Sequence, residues 1–218
     1  MIRAAIFDLD GTVLSDEQVY GGAFRKVLKD LGVNVKQKYP HKGGIGVGEN
    51  WPYLLSKYKV KTNKSLAELS RATQQAFLKN IADIEVKEGF EEFIVGLREI
   101  GVATALATSN EWFVVEEILD KFNLAKYFDV VVTGEEATAK KPDPELFIIA
   151  AQRLGVDPRD CVAFEDSAAG IEAGKRAGMV VIGVARDEKH AKELDGDGKI
   201  INNYAQAYDK LEEYLGGS

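Results

Sequence analysis

A doubly wound α/β fold with a parallel sheet, carrying a helical insertion after its first strand, is what this chain predicts. Three features carry that expectation. Short apolar runs alternate with amphipathic helical patterns along most of the sequence. The runs are apolar at successive positions and not at every second one, as strands buried on both faces require. The stretch 15–84 breaks the rhythm, with helical periodicity and no strand-like run.

The first run, 4–7, stops at Asp8, and the second, 102–107, stops at Thr108-Ser109-Asn110. Residues 129–133 contain Val130-Val131-Val132, 161–164 stop at Glu165-Asp166, 179–184 make a fifth run, and 199–201 a short sixth. A helix over 88–100 places Phe90, Phe93, Ile94 and Leu97 on one face and stops at Gly101. Asn110 is suited to cap a helix over 111–122, and Asp143 to cap one that begins with Pro144 and stops at Gly155. Ser167 is suited to cap the helix that ends before Gly178. Inside the insertion, helices are expected over 17–31, 49–58 and 65–84, the last opened by Ser65 and Glu68 at capping-box spacing. A core over 1–14 and 85–218 therefore carries a helical cap over 15–84, placed as a lid over the C-terminal end of the first strand.

Composition narrows the partners. The 218 residues include 28 Lys and Arg against 35 Asp and Glu, a net charge of -7. That balance gives no electrostatic footprint for nucleic acid or an anionic membrane, so an anionic substrate needs a local device to hold it. Cys161 is the only cysteine, which excludes an internal disulfide and a multi-cysteine metal site; inside a strand it reads as a small core residue. The start carries no apolar signal segment and no window approaches the roughly 20 apolar residues of a membrane span, so the expected location is the cytoplasm.

Open α/β sheets bind ligands outside the carboxyl ends of their strands. Here those ends carry Asp8 and Asp10, Thr108-Ser109-Asn110, Lys140-Lys141-Pro142, and Glu165-Asp166. Any one of these carboxylates can simply cap a helix or pair with a lysine. Four carboxylates, two hydroxyls and a lysine on one edge suit a divalent hard cation and a phosphoryl group. Elementary electrostatics requires the positive charge: a carboxylate and a phosphate oxyanion about 4 Å apart repel by roughly 4 kcal/mol per unit-charge pair at an effective dielectric near 20, and positive charge reverses that sign.

Asp8-Leu9-Asp10-Gly11-Thr12-Val13 resembles motif I of the haloacid dehalogenase superfamily. Thr108-Ser109-Asn110, Lys141-Pro142 and Glu165-Asp166-Ser167 are similar to motifs II, III and IV, in that order. The resemblance spans the chain, and the insertion is similar to the C1 cap of the β-phosphoglucomutase and phosphoglycolate phosphatase branch. It implies a Rossmann-like core and a Mg²⁺-dependent phosphatase that acts on a small phosphorylated metabolite through an aspartyl-phosphate, as a monomer or homodimer. It implies Asp8 as nucleophile, Asp10 as general acid and then base, and Lys141 as the charge that follows the phosphoryl group. Thr108, Ser109 and Asn110 would bind substrate. Asp8, Asp10 through its backbone carbonyl, Glu165 and Asp166 would ligate Mg²⁺.

A sugar phosphomutase of the same family is the alternative. Its cap carries a histidine and a tryptophan where this chain has Tyr20 and Phe24, and an arginine that the loop 41–50 lacks. A dehalogenase does not need Asp10, and a catalytically silent binding module is expected to lose Asp8 or Lys141; all three are present. The glycine-rich run 43–48 either faces the site and reads the leaving group or acts as a hinge. His41 reads as an exposed loop residue, Lys42 as a side chain within reach of substrate, and Trp51, Tyr53, Leu54 and Leu55 as the cap's own small core. Lys140 reads as the solvent-facing neighbour of Lys141, Ser167 as a helix cap, and 195–198 as a turn.

Overall fold

The computed structural model describes residues 1–43, 45–194 and 199–207, so the turn expected at 195–198 lies outside the described residues. Among the described residues eight strands follow one another: β1 (Ala4–Phe7), β2 (Leu14–Ser15), β3 (Glu85–Val86), β4 (Ala103–Ala107), β5 (Val130–Val132), β6 (Cys161–Glu165), β7 (Val180–Val184) and β8 (Ile200–Ile201). Six of them form one sheet in the order β5-β4-β1-β6-β7-β8, with every pairing parallel. Ile6 pairs with Ala105 on one side and Ala163 on the other. The doubly wound sheet expected from the apolar runs is thus present.

The helices are α1 (Glu17–Asp30), α2 (Val47–Lys57), α3 (Leu66–Leu78), α4 (Phe90–Glu99), α5 (Trp112–Phe122), α6 (Glu145–Leu154), α7 (Ala168–Arg176) and α8 (Glu188–Glu193). Successive side chains of β1 point to opposite faces, and each face has its own core. Ala5 and Phe7 pack with Phe90, Phe93 and Ile94 of α4 and with Val115 and Ile118 of α5. Ala4 and Ile6 pack with Leu146, Phe147 and Ala150 of α6 and with Ile171 and Ala173 of α7. Phe7 stacks on Phe164 at 4.6 Å and meets Phe90 edge-on at 5.5 Å. Cys161 is fully buried in the second core.

Several local ends differ from the sequence reading. The helix expected over 65–84 stops at Leu78, and a short 3₁₀ turn, Ile81–Asp83, follows. The Asn80 amide donates to the carbonyl of Ala76 at 2.9 Å, a side-chain competitor for the helical ladder. Ser65 and Glu68 do form the capping box. Asn110 does not cap α5: the cap position is Glu111, and the Asn110 side chain is used elsewhere. Pro144 occupies the cap position of α6, where Asp143 accepts the N–H of Glu145 at 3.0 Å. Ser167 caps α7 by accepting the N–H of Gly170 at 3.0 Å.

The chain leaves the sheet after β1 and returns before α4 through an antiparallel pair, Leu14 with Val86 and Ser15 with Glu85. Two-residue strands carry no readable period, and only their adjacency defines them. Between them α1, α2 and α3 pack together. Trp51 and Leu54 are fully buried there, with Tyr53 and Leu55 packed against them, and the Trp51 indole N–H donates to Thr73 Oγ1 at 3.2 Å. Among the described residues no helix is long and apolar enough to cross a membrane.

Candidate active site

β1 lies between β4 and β6, so connections leave it toward both sides of the sheet, and a crevice opens at its carboxyl end. Asp8 is the residue after β1, and its N–H donates to the carbonyl of Phe164 at 3.0 Å, which ties it to β6. The Lys141 ammonium reaches across to Asp8 Oδ1 at 2.5 Å and to Glu165 Oε1 at 2.6 Å. Its side chain is 1% exposed, and that of Glu165 is 0% exposed. The second oxygen of Glu165 accepts the backbone N–H and the hydroxyl of Ser167, both at 2.9 Å. Glu165 thereby orients Lys141 and the start of α7 together.

Asp8, Glu165 and Asp166 are all buried, with ligand oxygens within 4.8 Å of one another. Three carboxylates face a single ammonium. Burial pushes the Asp8 carboxyl well above the usual carboxylate range; Lys141 opposes this, while Glu165 and Asp10 add to it. Burial does the same to Asp166, reinforced by Glu165 and Asp8. For Lys141, burial opposes the charge, but Asp8 and Glu165 outweigh it and hold the ammonium above the ordinary lysine value. An excess of buried negative charge on hard oxygen ligands fits a divalent cation such as Mg²⁺.

Two glycines make the cluster possible. Gly11 has φ +73°, and a Cβ there would overlap the Asp166 carboxylate. At Gly170 an added Cβ would overlap the Glu165 carboxylate, which cannot retreat because Lys141 and Ser167 hold both oxygens. Gly170→Ala is accordingly expected to cost about 1–3 kcal/mol in urea unfolding, the range of overpacking. Gly22→Ala is the control: its nearest neighbour would be an Arg25 nitrogen at 3.8 Å, and in a helix it should gain about 0.5–1 kcal/mol. Equal effects of the two substitutions would sink the argument.

Asp10 sits two residues after Asp8 but outside the three-carboxylate cluster. Its Oδ2 accepts from the Asn110 amide at 2.8 Å, and its Oδ1 has no partner. Burial raises its carboxyl above the usual value. The Asn110 Oδ1 accepts the Tyr20 hydroxyl at 2.9 Å, so a hydrogen-bonded chain runs from α1 through Asn110 to Asp10. Thr108 is buried, and its Oγ1 accepts the N–H of Asn110 at 3.1 Å. Lys140 is exposed, with its ammonium on the carbonyl of Gly134 at 2.6 Å.

Above the carboxylates lies an open cavity. Asp8, Asp10, Ser109, Asn110 and Asp166 line its floor, and Tyr20, Phe24, His41, Ile45 and Val47 line the opposite side. The glycine-rich loop faces the cavity at Gly43 and Gly46. Asn50 clamps that loop: its Oδ1 accepts the N–H of Lys42 at 2.7 Å, and its amide donates to the carbonyls of Lys42 and Gly46 at 3.0 and 3.2 Å.

Three side chains escaped the sequence reading. His41, expected as an exposed loop residue, is half-buried, stacks on Phe24 at 4.8 Å and turns its ring to the cavity. Burial, aided by the charge of Arg25, pushes its imidazole down to about 4, so it is neutral at pH 7. Asp16 is 1% exposed and accepts the N–H of Gly11 at 3.0 Å, which fixes the turn carrying Asp10. Glu17 lines the cavity with Oε1 buried and unpartnered. A carboxylate pair just past motif I was the available signal for the last two; nothing local marks His41.

The model of the haloacid dehalogenase-like hydrolases matches residues 2–178. The chain belongs to that family. Among its relatives, a phosphorylated carbohydrates phosphatase of Thermotoga maritima is 32% identical over 198 residues, covering 88% of this chain and 90% of that protein. The fructose-1-phosphate phosphatase YqaB of Escherichia coli is 29% identical over 186 residues, covering 82% and 94%. The structure of CbbY from Rhodobacter sphaeroides with phosphate superposes with a TM-score of 0.84 at 27% identity, covering 97% of this chain and 100% of that one. Membership makes the cluster around Asp8 the place to seek this hydrolase's chemistry.

Proposed function

We propose that this hydrolase is a Mg²⁺-dependent phosphatase that cleaves a small phosphate monoester through an aspartyl-phosphate on Asp8. The observation that carries the reading is the buried Lys141 ammonium shared between Asp8 and Glu165, at 2.5 and 2.6 Å, inside an otherwise acidic cluster. A nucleophilic carboxylate needs positive charge beside it before a phosphoryl dianion can approach. The relatives named for phosphorylated carbohydrates and fructose 1-phosphate support a sugar-phosphate type of substrate, and a relative named as a phosphoglycolate phosphatase keeps phosphoglycolate among the candidates.

In this reading Asp8, Glu165 and Asp166, with the backbone carbonyl of Asp10, would hold Mg²⁺. The ion would supply positive charge to the phosphoryl oxygens when bound. Asp8 attacks phosphorus, and Lys141 stays beside it as charge builds on the phosphoryl oxygens. Thr108 and the N–H of Ser109 hold one of those oxygens. Asp10, whose carboxyl burial raises, donates a proton to the leaving oxygen and then takes one from the water that hydrolyses the intermediate. Asn110 and Asp16 keep the Asp10 turn in place. Residues 15–84 act as the cap that excludes bulk water over the core of 1–14 and 85–218.

The test is free phosphate release from a panel of small monoesters with and without Mg²⁺. Release that requires Mg²⁺ is the expected result. No release, together with conversion of β-glucose 1-phosphate to glucose 6-phosphate once a bisphosphate is added, would replace this reading with the mutase. The cavity lining favours the hydrolase: among the described residues no arginine faces it.

A further inference from the structure

Charge is distributed unevenly along this chain. Residues 25–64 hold ten Lys and Arg against two Asp and Glu, while the chain as a whole is acidic. Among the described residues the one ion pair in that stretch joins Lys26 to Asp30; its other acid, Glu49, lies in the first turn of α2. Lys38, Lys42 and Lys57 are exposed. The Lys42 and Lys57 ammonium groups lie 4.6 and 5.0 Å from the centre of the Tyr53 ring, and that of Lys38 lies 5.3 Å from the centre of Tyr39. The Arg25 guanidinium donates to the Lys38 carbonyl, and its charge is felt at His41. On the core side, Arg186 lies 5.9 Å from the centre of the same Tyr39 ring, with Asp187 at 3.8 Å.

Lys42 lines the catalytic cavity, and Tyr39 and Arg186 line a second cavity that adjoins it at His41, Gly43 and Asp166. The cations stand at the entrance. The carboxylates of Asp8, Asp10, Asp16, Glu17 and Asp166 lie inside, and Glu193 lines the adjoining cavity. A phosphate dianion that approaches a chain of net charge -7, toward a floor of carboxylates, is repelled unless the entrance reverses the local field.

We propose that Arg25, Lys38, Lys42 and Lys57, with Arg186 opposite, form a cationic rim that draws phosphate dianions to the cavity mouth against the charge of the whole protein. The rim acts through space: Arg25, Lys38 and Lys57 line neither cavity. That the dianion is a substrate rests on the phosphatase reading above; the sign of the field rests on the rim residues alone.

Salt separates the rim from the net charge by sign. If net charge sets the field, kcat/KM for a dianionic ester rises as salt screens the repulsion; if the rim sets it, kcat/KM falls. The probes are fructose 1-phosphate and p-nitrophenyl phosphate at mildly alkaline pH with saturating Mg²⁺. Between about 20 and about 300 mM NaCl, wild-type kcat/KM is expected to fall about 3- to 10-fold. Lys38→Gln/Lys57→Gln should lower kcat/KM about threefold at low salt, hold kcat within about twofold and converge on wild type at high salt. Lys121→Gln/Lys126→Gln removes the same charge at the C-terminal end of α5 and just beyond it, away from the strand ends that carry the site, and should follow the wild-type curve. It also carries whatever salt does to Mg²⁺ binding, so the difference between the two variants isolates the rim.

The field is read without turnover from amide relaxation by nitroxides of opposite charge. Anionic carboxy-PROXYL should relax the amides of 38–42 more than cationic aminomethyl-PROXYL does, and the excess should shrink in Lys38→Gln/Lys57→Gln. A rise of kcat/KM with salt, a rim variant that follows the far-end control, or no excess for the anionic nitroxide overturns the rim. The expected nitroxide result without phosphate release from any ester leaves the rim standing and removes the phosphatase reading. Mg²⁺-dependent release with any of the overturning results does the opposite.

Discussion

Asp8→Asn is expected to reduce phosphate release by about 10³- to 10⁵-fold while the protein stays folded. The amide is isosteric but cannot attack phosphorus, and it lowers the charge of the cluster by one. The unfolding midpoint is therefore expected to hold or rise without metal, because burial and the neighbouring Glu165 and Asp10 already work against ionised Asp8. Opposite signs for activity and stability are the signature. Residual activity within tenfold of wild type would remove Asp8 as the nucleophile, and a collapse of the fold would make it a structural residue.

The second large effect is at Lys141. Lys141→Met keeps much of the side-chain volume and removes the ammonium from a site where the lysine side chain is 1% exposed. The contacts at 2.5 Å to Asp8 and 2.6 Å to Glu165 are lost together, which leaves two buried carboxylates uncompensated. Breaking one side of a buried ion pair costs about 3–5 kcal/mol. Removing a charge aimed at the developing oxyanion costs about 10²–10³-fold in kcat. Both losses should appear in this variant, and a variant within tenfold of wild-type kcat would sink the catalytic role.

Its pH dependence follows from sign. In the native state the carboxyls of Asp8 and Asp166 hold protons to higher pH than the unfolded reference value of 3.8. A native state that binds more protons loses stability as pH rises from that value through the raised one. Metal-free Lys141→Met should therefore be more stable in mild acid than at pH 7, with a steeper slope than wild type. Added Mg²⁺ should flatten that slope in both proteins. A flat profile in metal-free Lys141→Met would contradict the carboxylate-cluster account.

The order of strands and helices in the core, and the residues at the strand ends, were determined by local sequence. Runs such as 4–7 and 161–164 are buried on both faces wherever they lie, so their composition declares them before any partner is known. Asp8, Glu165 and Asp166 follow directly, because a strand end in a parallel sheet has only one edge to face; Lys141, in the loop well past β5, was marked by the resemblance of Lys141-Pro142 to a family motif. Short-range capping was legible where side chain and backbone are three residues apart, as at Ser65 and Ser167. It failed at Asn110, whose amide bonds Asp10 a hundred residues away in the chain.

Tertiary structure alone decided the rest. The paired two-residue strands Leu14–Ser15 and Glu85–Val86 exist only because the chain leaves and returns side by side. His41 looks like a polar loop residue until Phe24 stacks on it and the loop held by Asn50 closes over Asp8. Glu17 opens a helix in sequence and becomes a cavity wall only when α1 is laid across the sheet edge. The chemistry of phosphoryl transfer needs charges at strand ends, which adjacent residues can encode. The cavity needs two distant segments to enclose one volume, and no local pattern contains that distance.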